Sequence, residues 1–531
     1  MTKLWRDINA VYQIYPRSFK DTNEDGIGDL PGIIQKLDYV IDTLGAEAVW
    51  LSPFYPSPQA DCGYDVSNYC DVDPLFGTMG DFETLIATAH EKGLKVMIDL
   101  VPNHTSDKHA WFQESRSSRD NPKRDWYVWR DKPNNWISIS GGSSWTFDEV
   151  TGQYYLHSFM SSQPDLNWEN SEVRAALKDV MRFWFEKGVD GFRIDAVWSL
   201  SKNADYADDP LNESYNGEEG DYGSHIHSSC KNGPRLTEYL KELTTVAAEY
   251  TDKYVLFEFY PDEMLGDENE QLRLLHAVAP EISAPFYFGG LHQPWHAARF
   301  GEMLRDYLNV IPDGARPSFC FSNHDQPRLV SRFGDDQARL LALLEMTLSG
   351  LPVMYYGDEL GMEDGNIPDN LIKDKFEKTG DMGGRDPERT PMQWDDSPLG
   401  GFTTSTPWLP LHENVVKRNV ITELKDPDSW LSLYRQLLTL RHDPVLRSGS
   451  FELVEPGSGY VLAYKRSLNG TTYYIACNFA AAMQIVTLPT TIRDIRVMTH
   501  IGAASILDDG RVGLQGYSAV ILSEVLGQDS L

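Results

Sequence analysis

SEVRAALKDVMRFWFEKGVDGFRIDAV, residues 171–197, reads as a helix and then a strand, and this reading decides the fold. Apolar Val173, Ala176, Leu177, Val180, Met181 and Trp184 recur at helical spacing, so one stripe faces a core. Asn170 or Ser171 can cap the start, and Glu172 suits the first turn. Gly188 stops the helix. A short strand follows and ends at Asp195. Arg193 lies two residues earlier, so both side chains point to one face. A guanidinium favours the ionised form of a neighbouring carboxylate, which suits an anionic nucleophile. The same pair could equally be a structural ion pair, since such pairs also perturb pKa values.

The unit repeats upstream. Leu37, Val40, Ile41 and Leu44 form a stripe, then come Gly45 and AVWLSPF. Phe82, Leu85, Ile86 and Ala89 form another, then come Gly93 and KVMIDLVPNH. Helices alternating with continuous apolar strands predict a parallel sheet covered by helices. Eight strands are legible, centred near Tyr12, Val49, Ile98, Phe192, Leu256, Pro285, Phe319 and Met354, the sixth being the weakest. Eight such units close into a (β/α)8 barrel with its active site at the strand C-terminal ends. Glu258 ends the fifth strand and Asp325 follows the seventh, as Asp195 ends the fourth. Three carboxylates at one barrel mouth, without a phosphate loop or a His/Cys metal set, fit glycoside chemistry best.

The barrel is assigned residues 1–103 and 171–449. Residues 104–170, rich in Trp, Ser, Asn and Gly, are too long for an ordinary loop and predict an inserted small domain over the site. Ser201–Pro234 is a polar, acidic insertion directly after Asp195, expected to form a lid. Glu363–Pro410 is a third insertion and carries Arg389. From residue 450 to 531 the pattern becomes alternating strands, such as YVLAYKR and TTYYIACNF, joined through Asn469-Gly470. That predicts a C-terminal antiparallel β-sandwich domain.

DLVPNH (99–104), QPDLNW (163–168), GFRIDAV, Glu258 and SNHDQPR resemble the motif set of glycoside hydrolase family 13, the α-amylase superfamily. GAEAVWLSPFYPSP and GLPVMYYGDELGM are similar to two further motifs. GGRDPERTPMQWDDS resembles a signature of the oligo-1,6-glucosidase and α-glucosidase branch. The resemblance runs from Tyr15 to Trp394. It implies a retaining α-glycosidase in which Asp195 is the nucleophile and Glu258 the acid and base; the raised pKa that an acid needs at neutral pH could be favoured by desolvation from the flanking Phe257 and Phe259. Asp325 would bind the 2- and 3-hydroxyls. Arg193 would keep Asp195 ionised, and His104 and His324 would contact sugar hydroxyls. In the α-glucosidase branch an Asp and an Arg clamp the terminal glucose, and Asp61 and Arg389 match them. Tyr64 would stack under the glucose, while Phe147 and Phe159 could line the pocket or belong to the core. Ala196, next to the nucleophile, goes in the family with α-1,4 rather than α-1,6 linkages. The expected activity is therefore exo-acting release of α-glucose from short, maltose-like α-1,4-glucosides, with possible transglucosylation. Transglucosylases and isomerases share every motif named, so the alternative is an oligo-1,6-glucosidase or a sucrose- or isomaltose-active transglucosylase or isomerase of the same family. A non-catalytic ancillary protein of the same fold is disfavoured by the complete acid set.

DTNEDGIGD, residues 21–29, is a separate signal. Asp21, Asn23 and Asp25 alternate as in the first half of an EF-hand loop, Ile27 can offer its carbonyl, and Asp29 adds an oxygen. The twelfth-position Glu is missing, since residue 32 is Gly. A structural Ca²⁺ or Mg²⁺ is expected. Of 531 residues, 79 are acidic and 47 are Lys or Arg, giving a net charge of −32, which argues against nucleic acid or an anionic membrane as partner. The start, MTKLWRDINA, has no signal-peptide pattern. No run of about twenty apolar residues exists. The cysteines, at 62, 70, 230, 320 and 477, are odd in number and lack metal-type spacing along the chain, so reduced thiols in a cytoplasmic protein are expected.

Overall fold

The helix Ser171–Glu186 forms as its stripe requires. Asn170 is the cap, its side chain accepting from Glu172 N, and Val173, Leu177, Val180, Met181 and Trp184 are buried. Gly188, at φ 99°, takes the left-handed turn that ends it. The computed structural model describes residues 3–218, 220–260, 267–374, 376, 384–488 and 494–523.

The first three strands are β1 (Val11–Ile14), β2 (Ala48–Leu51) and β3 (Lys95–Leu100). The inserted segment then contributes β4 (Trp129–Arg130), β5 (Trp145–Asp148) and β6 (Gln153–Leu156), a separate antiparallel sheet in the order β4-β6-β5. The main sheet resumes with β7 (Gly191–Ile194), β8 (Tyr254–Phe257), β9 (Ser283–Tyr287), β10 (Ser318–Phe319) and β11 (Val353–Tyr355). Its order, β10-β9-β8-β7-β3-β2-β1-β11, is sequential and its neighbouring strands pair in parallel. The seam between β10 and β11 is bridged by Leu351 N donating to Pro317 O at 2.8 Å and Ser318 Oγ to Leu351 O at 2.9 Å. All eight expected strands, including the weak sixth, are therefore staves of a near-closed barrel. Alternation sorts their side chains. Val11, Ala48, Trp50, Met97, Leu256, Ala284 and Phe286 share one core cluster, while Tyr12, Val49, Leu51, Val96 and Ile98 belong to the core that includes the helices.

The C-terminal region has β12 (Ser450–Val454), β13 (Val461–Leu468), β14 (Thr471–Asn478), β15 (Gln484–Val486), β16 (Asp494–Met498), β17 (Ala504–Ile506), β18 (Val512–Leu514) and β19 (Ala519–Ser523). Five strands pair as β12-β13-β14-β19-β16 and three as β15-β18-β17. Val461, Tyr474 and Leu522 of one sheet share a core with Val486, Val512 and Leu514 of the other. Residues 489–493 and 524–531 of the assigned domain lie outside the described residues. Among the described residues no helix is long and apolar enough to cross a membrane.

Candidate active site

Asp195 lies one residue beyond β7 and Glu258 one residue beyond β8, so adjacent strands deliver both to the barrel mouth. Arg193, on β7, ties them together. Its Nη1 is 2.8 Å from Asp99 Oδ1 and 2.5 Å from Asp195 Oδ1, and its Nη2 is 2.9 Å from Glu258 Oε1. Trp50 Nε1 donates to the other oxygen of Asp99 at 2.8 Å. Ala196 N donates to Glu258 Oε2 at 2.7 Å.

Burial dominates the charges here. It holds Glu258 well above the usual carboxylate range, with the negative charges of Asp195 and Asp325 adding to it and Arg193 opposing. Burial also raises Asp195, against the attraction of Arg193. Arg193 contacts Asp195 and favours its ionised form, the influence expected of it, and burial opposes that influence. Both carboxyl groups are thus raised by burial and opposed by the same guanidinium, the kind of environment that can set acid and base roles apart. Asp99 is pushed up to about 7, again by burial. Asp325 goes the other way: despite burial, His324, Arg385 and Arg389 draw it below the usual range.

The arginines divide differently from expectation. Arg385, not Arg389, pairs with Asp61, its Nη2 donating to Oδ1 at 2.6 Å. Arg385 also donates twice to Asp374, at 2.8 and 2.9 Å, and lies 3.2 Å from Asp325. Arg389 is fully buried below them. It donates to His324 O at 2.7 Å and to Asp325 Oδ1 at 2.8 Å, and it is not on the cavity wall. Gln163 Nε2 donates to the second oxygen of Asp61 at 2.9 Å and lies 3.2 Å from His104 Nε2.

A cavity of about 410 Å³ opens above these groups. Asp61, Tyr64, His104, Phe159, Asp195, Ala196, Glu258 and Asp325 line it, as expected of them. Three expectations are corrected besides Arg389. Phe147 is half exposed on β5, packed on Tyr154, and belongs neither to the cavity nor to the core. His324 is buried behind the wall: its ring stacks on Tyr64 at 5.3 Å and its Nε2 lies 2.6 Å from Tyr64 Oη. Burial lowers it to about 3, so it is neutral. Arg193 likewise lies beneath the wall. The insertion after Asp195 does form a roof, supplying Tyr215, Tyr222, Gly223 and Lys231, and Trp198 and Tyr260 complete that side with Phe376 and Gln326. Sequence reading missed these aromatics, which carry no motif. Arg385 was four residues from Arg389 in the same run, and only packing distinguishes them. A larger hollow, about 760 Å³, lies before β2 against β14 and β16, and none of the three acids lines it.

The loop after β1 carries Asp21, Asn23, Asp25, Ile27 and Asp29. Asp21 Oδ1 accepts from Asn23 N at 3.0 Å and Glu24 N at 2.9 Å, Asn23 Oδ1 from Asp25 N at 3.0 Å, and Asp25 Oδ1 from Ile27 N at 2.8 Å. These repeated turns curl alternate oxygens into one short loop. Gly26 is at φ 84°, and a Cβ there would meet Thr406 O at 1.9 Å. Asp29 caps the helix Leu30–Asp38 through Gly32 N at 2.7 Å and also accepts from Thr22. The donor set is all oxygen, and a carboxylate offers about four lone-pair sites, so these bonds leave capacity for a hard cation.

Carboxyl groups gathered at the C-terminal mouth of an eight-stranded parallel barrel define a barrel glycosidase. Comparison with known proteins agrees. The family described as alpha amylase, catalytic domain, matches residues 13–449. The chain is 39% identical over 534 residues to oligo-1,6-glucosidase of Parageobacillus thermoglucosidasius, covering 92% of this chain and 93% of that one. It is 40% identical over 548 residues to a probable alpha-glucosidase of Rhizobium meliloti, covering 97% and 96%. It superposes on the solved structure of an alpha-glucosyl transfer enzyme, XgtA, with a TM-score of 0.90 at 37% identity, covering 98% and 99%. The chain belongs to the α-amylase family and is a glycoside hydrolase.

Proposed function

We propose that this protein is a retaining, exo-acting α-glucosidase that releases α-glucose from the non-reducing end of short α-1,4-glucosides. One observation carries the exo reading: Asp61 and Arg385 pair at 2.6 Å in the cavity wall, and such a pair recognises terminal hydroxyls and closes one end. Asp195 attacks the anomeric carbon while Glu258 protonates the leaving oxygen. Glu258 then takes a proton from water as that water displaces the Asp195 ester. A single guanidinium holding both carboxyl groups supports the close spacing of a retaining pair, about 5–5.5 Å, over the wider gap of an inverting one. Asp325, kept ionised, holds sugar hydroxyls. Ala196 on the wall supports the α-1,4 preference.

Glucosyl transfer to a sugar hydroxyl instead of water is a second reading, favoured by the aromatic roof of Trp198, Tyr222 and Tyr260, which suits a sugar in the acceptor position. Asp21, Asn23, Asp25, Ile27 O and Asp29 would hold Ca²⁺ or Mg²⁺ as a structural clamp. Five free cysteines suit a cytoplasmic setting.

The test is Asp195→Asn and Glu258→Gln. Each is expected to lose several orders of magnitude in kcat on nitrophenyl α-glucoside while circular dichroism stays native. Nuclear magnetic resonance of the first product should show α-glucose. Near-normal activity in either variant, or initial β-glucose, would overturn the assignment.

A further inference from the structure

We infer that the lid carries a transition-metal site, suited to Zn²⁺ and formed by Asp209, His227 and Cys230. Asp209 is 3% exposed and His227 5%, while Cys230 is half-buried. Cys230 Sγ lies 3.4 Å from His227 Nδ1, and Nδ1 lies 3.7 Å from Asp209 Oδ2. All three ligand atoms fall within 4.8 Å of one another. Zinc bound to sulfur, nitrogen and oxygen at about 2.0–2.3 Å in a tetrahedron needs ligand–ligand edges of roughly 3.4–3.6 Å. Two of the three edges are therefore nearly in place.

Protons decide between a metal site and an ordinary polar cluster. His227 Nε2 is 2.8 Å from Tyr222 O. A carbonyl only accepts, so Nε2 carries a proton, and in the neutral ring Nδ1 turns its lone pair inward. Asp209 Oδ1 accepts from Ser229 N at 2.7 Å, while Oδ2 is buried with only the Cys230 thiol to donate to it. An imidazole lone pair and a carboxylate oxygen thus face each other, with one thiol proton between them. Two acceptors and a single weak donor leave a buried group unsatisfied. A divalent cation satisfies all three: the S–H bond breaks, the proton leaves to water, and the metal–sulfur bond replaces it. Thiolate and imidazole select zinc over the hard cations of the oxygen loop. Three protein ligands leave the fourth position to water.

The site would also stiffen the active-site roof. Asp209 comes from one limb of the lid and His227 with Cys230 from the other. The His227 ring stacks on Tyr222 at 3.7 Å, and Tyr222 and Lys231 line the cavity. The cysteines lack metal spacing along the chain because Asp209 lies far upstream of the His-x-x-Cys pair, and only the folded lid brings them together.

The experiment titrates the metal-free, full-length protein with Co²⁺ and then Zn²⁺. One Co²⁺ per chain should bind with a near-ultraviolet thiolate-to-cobalt charge-transfer band, and one equivalent of Zn²⁺ should displace it. Cys230→Ser should abolish the band, and His227→Gln and Asp209→Asn should each weaken Zn²⁺ at least tenfold. Cys70→Ser, at the exposed cysteine, and Asp25→Ala, in the oxygen loop, should leave both signals unchanged. No stoichiometric Co²⁺ in the unmutated protein, or a band that survives Cys230→Ser, would overturn the site. Because the unmutated spectrum is itself diagnostic, a variant that misfolds does not shield the proposal. The readout is also independent of which glucoside the enzyme cleaves.

Discussion

The backbone N–H of Ala196 donates to Oε2 of Glu258 at 2.7 Å, linking the residue after Asp195 to the end of the next barrel strand. Ala196 sits at φ 45° and ψ 43°, a left-handed conformation uncommon outside glycine. The turn carries the chain from Asp195 into the roof and leaves Ala196 on the cavity wall.

Ala196→Val should shift the kcat/KM ratio from maltose toward isomaltose. The added methyls crowd the aglycone side, and a change of this size is worth about 1–3 kcal/mol, or roughly 10–200-fold. Val at positive φ should also lower the melting temperature, but a ratio of two substrates on one preparation is insensitive to that. The parent should favour maltose over both isomaltose and starch. Parent activity highest on isomaltose, or a ratio unmoved in the variant, would refute the role given to this residue.

Arg385→Lys should raise KM for maltose far more than it lowers kcat. Charge is kept, but the fork that meets Asp61 and Asp374 is lost. Losing one charge-assisted hydrogen bond to bound sugar costs about 1.5–3 kcal/mol, or roughly 10–150-fold. Arg389→Lys, acting through Asp325, should lower kcat with a smaller change in KM. Steady-state kinetics on both variants decide; an Arg385→Lys enzyme with unchanged KM removes Arg385 from the pocket clamp.

Chelation should lower the melting temperature while activity at moderate temperature persists. An ion bound only to the folded state at a hundred times its Kd contributes about 2.7 kcal/mol. Ca²⁺ or Mg²⁺ should restore the share due to the oxygen loop, and Asp25→Ala should reproduce the loss of that share. Calorimetry that is indifferent to EDTA, with no Ca²⁺ or Mg²⁺ in elemental analysis, would eliminate the loop as a site.

Stability should fall as pH rises toward 7, in part through Glu359. Burial pushes its carboxyl up to about 7, although Tyr12 and Tyr39 donate to it at 2.7 and 2.8 Å. The unfolded value is about 4.3. The folded state therefore keeps a proton that the unfolded state has lost. Its contribution is full below about 4.3 and disappears as pH rises through about 7, at no more than about 1.4 kcal/mol per pH unit. In Glu359→Gln the difference in melting temperature between pH 5 and pH 8 should shrink. An equal or larger difference in the variant would contradict this.

The sequence by itself determined the eight strands, the placement of Asp195 and Glu258 at strand ends, and the C-terminal sheets. These follow from periodicity, strand parity and stop signals, which are local properties of the chain. Even the weak sixth strand was legible, because it occupies the right slot in the alternation. What tertiary structure alone decided is which side chains meet across long separations. Arg385 and Arg389 lie in one run, and packing makes the first the partner of Asp61 while sending the second beneath Asp325. Phe147 fell outside the pocket because β5 turns it toward solvent, and His324 fell behind Tyr64. The upward pKa shift of Glu258 is likewise a tertiary property, since burial outweighs an arginine that the sequence places close to its neighbour Asp195. The juxtaposition of Asp209 with His227 and Cys230 exists only in the folded lid, because no local rule brings such distant residues within a metal's reach.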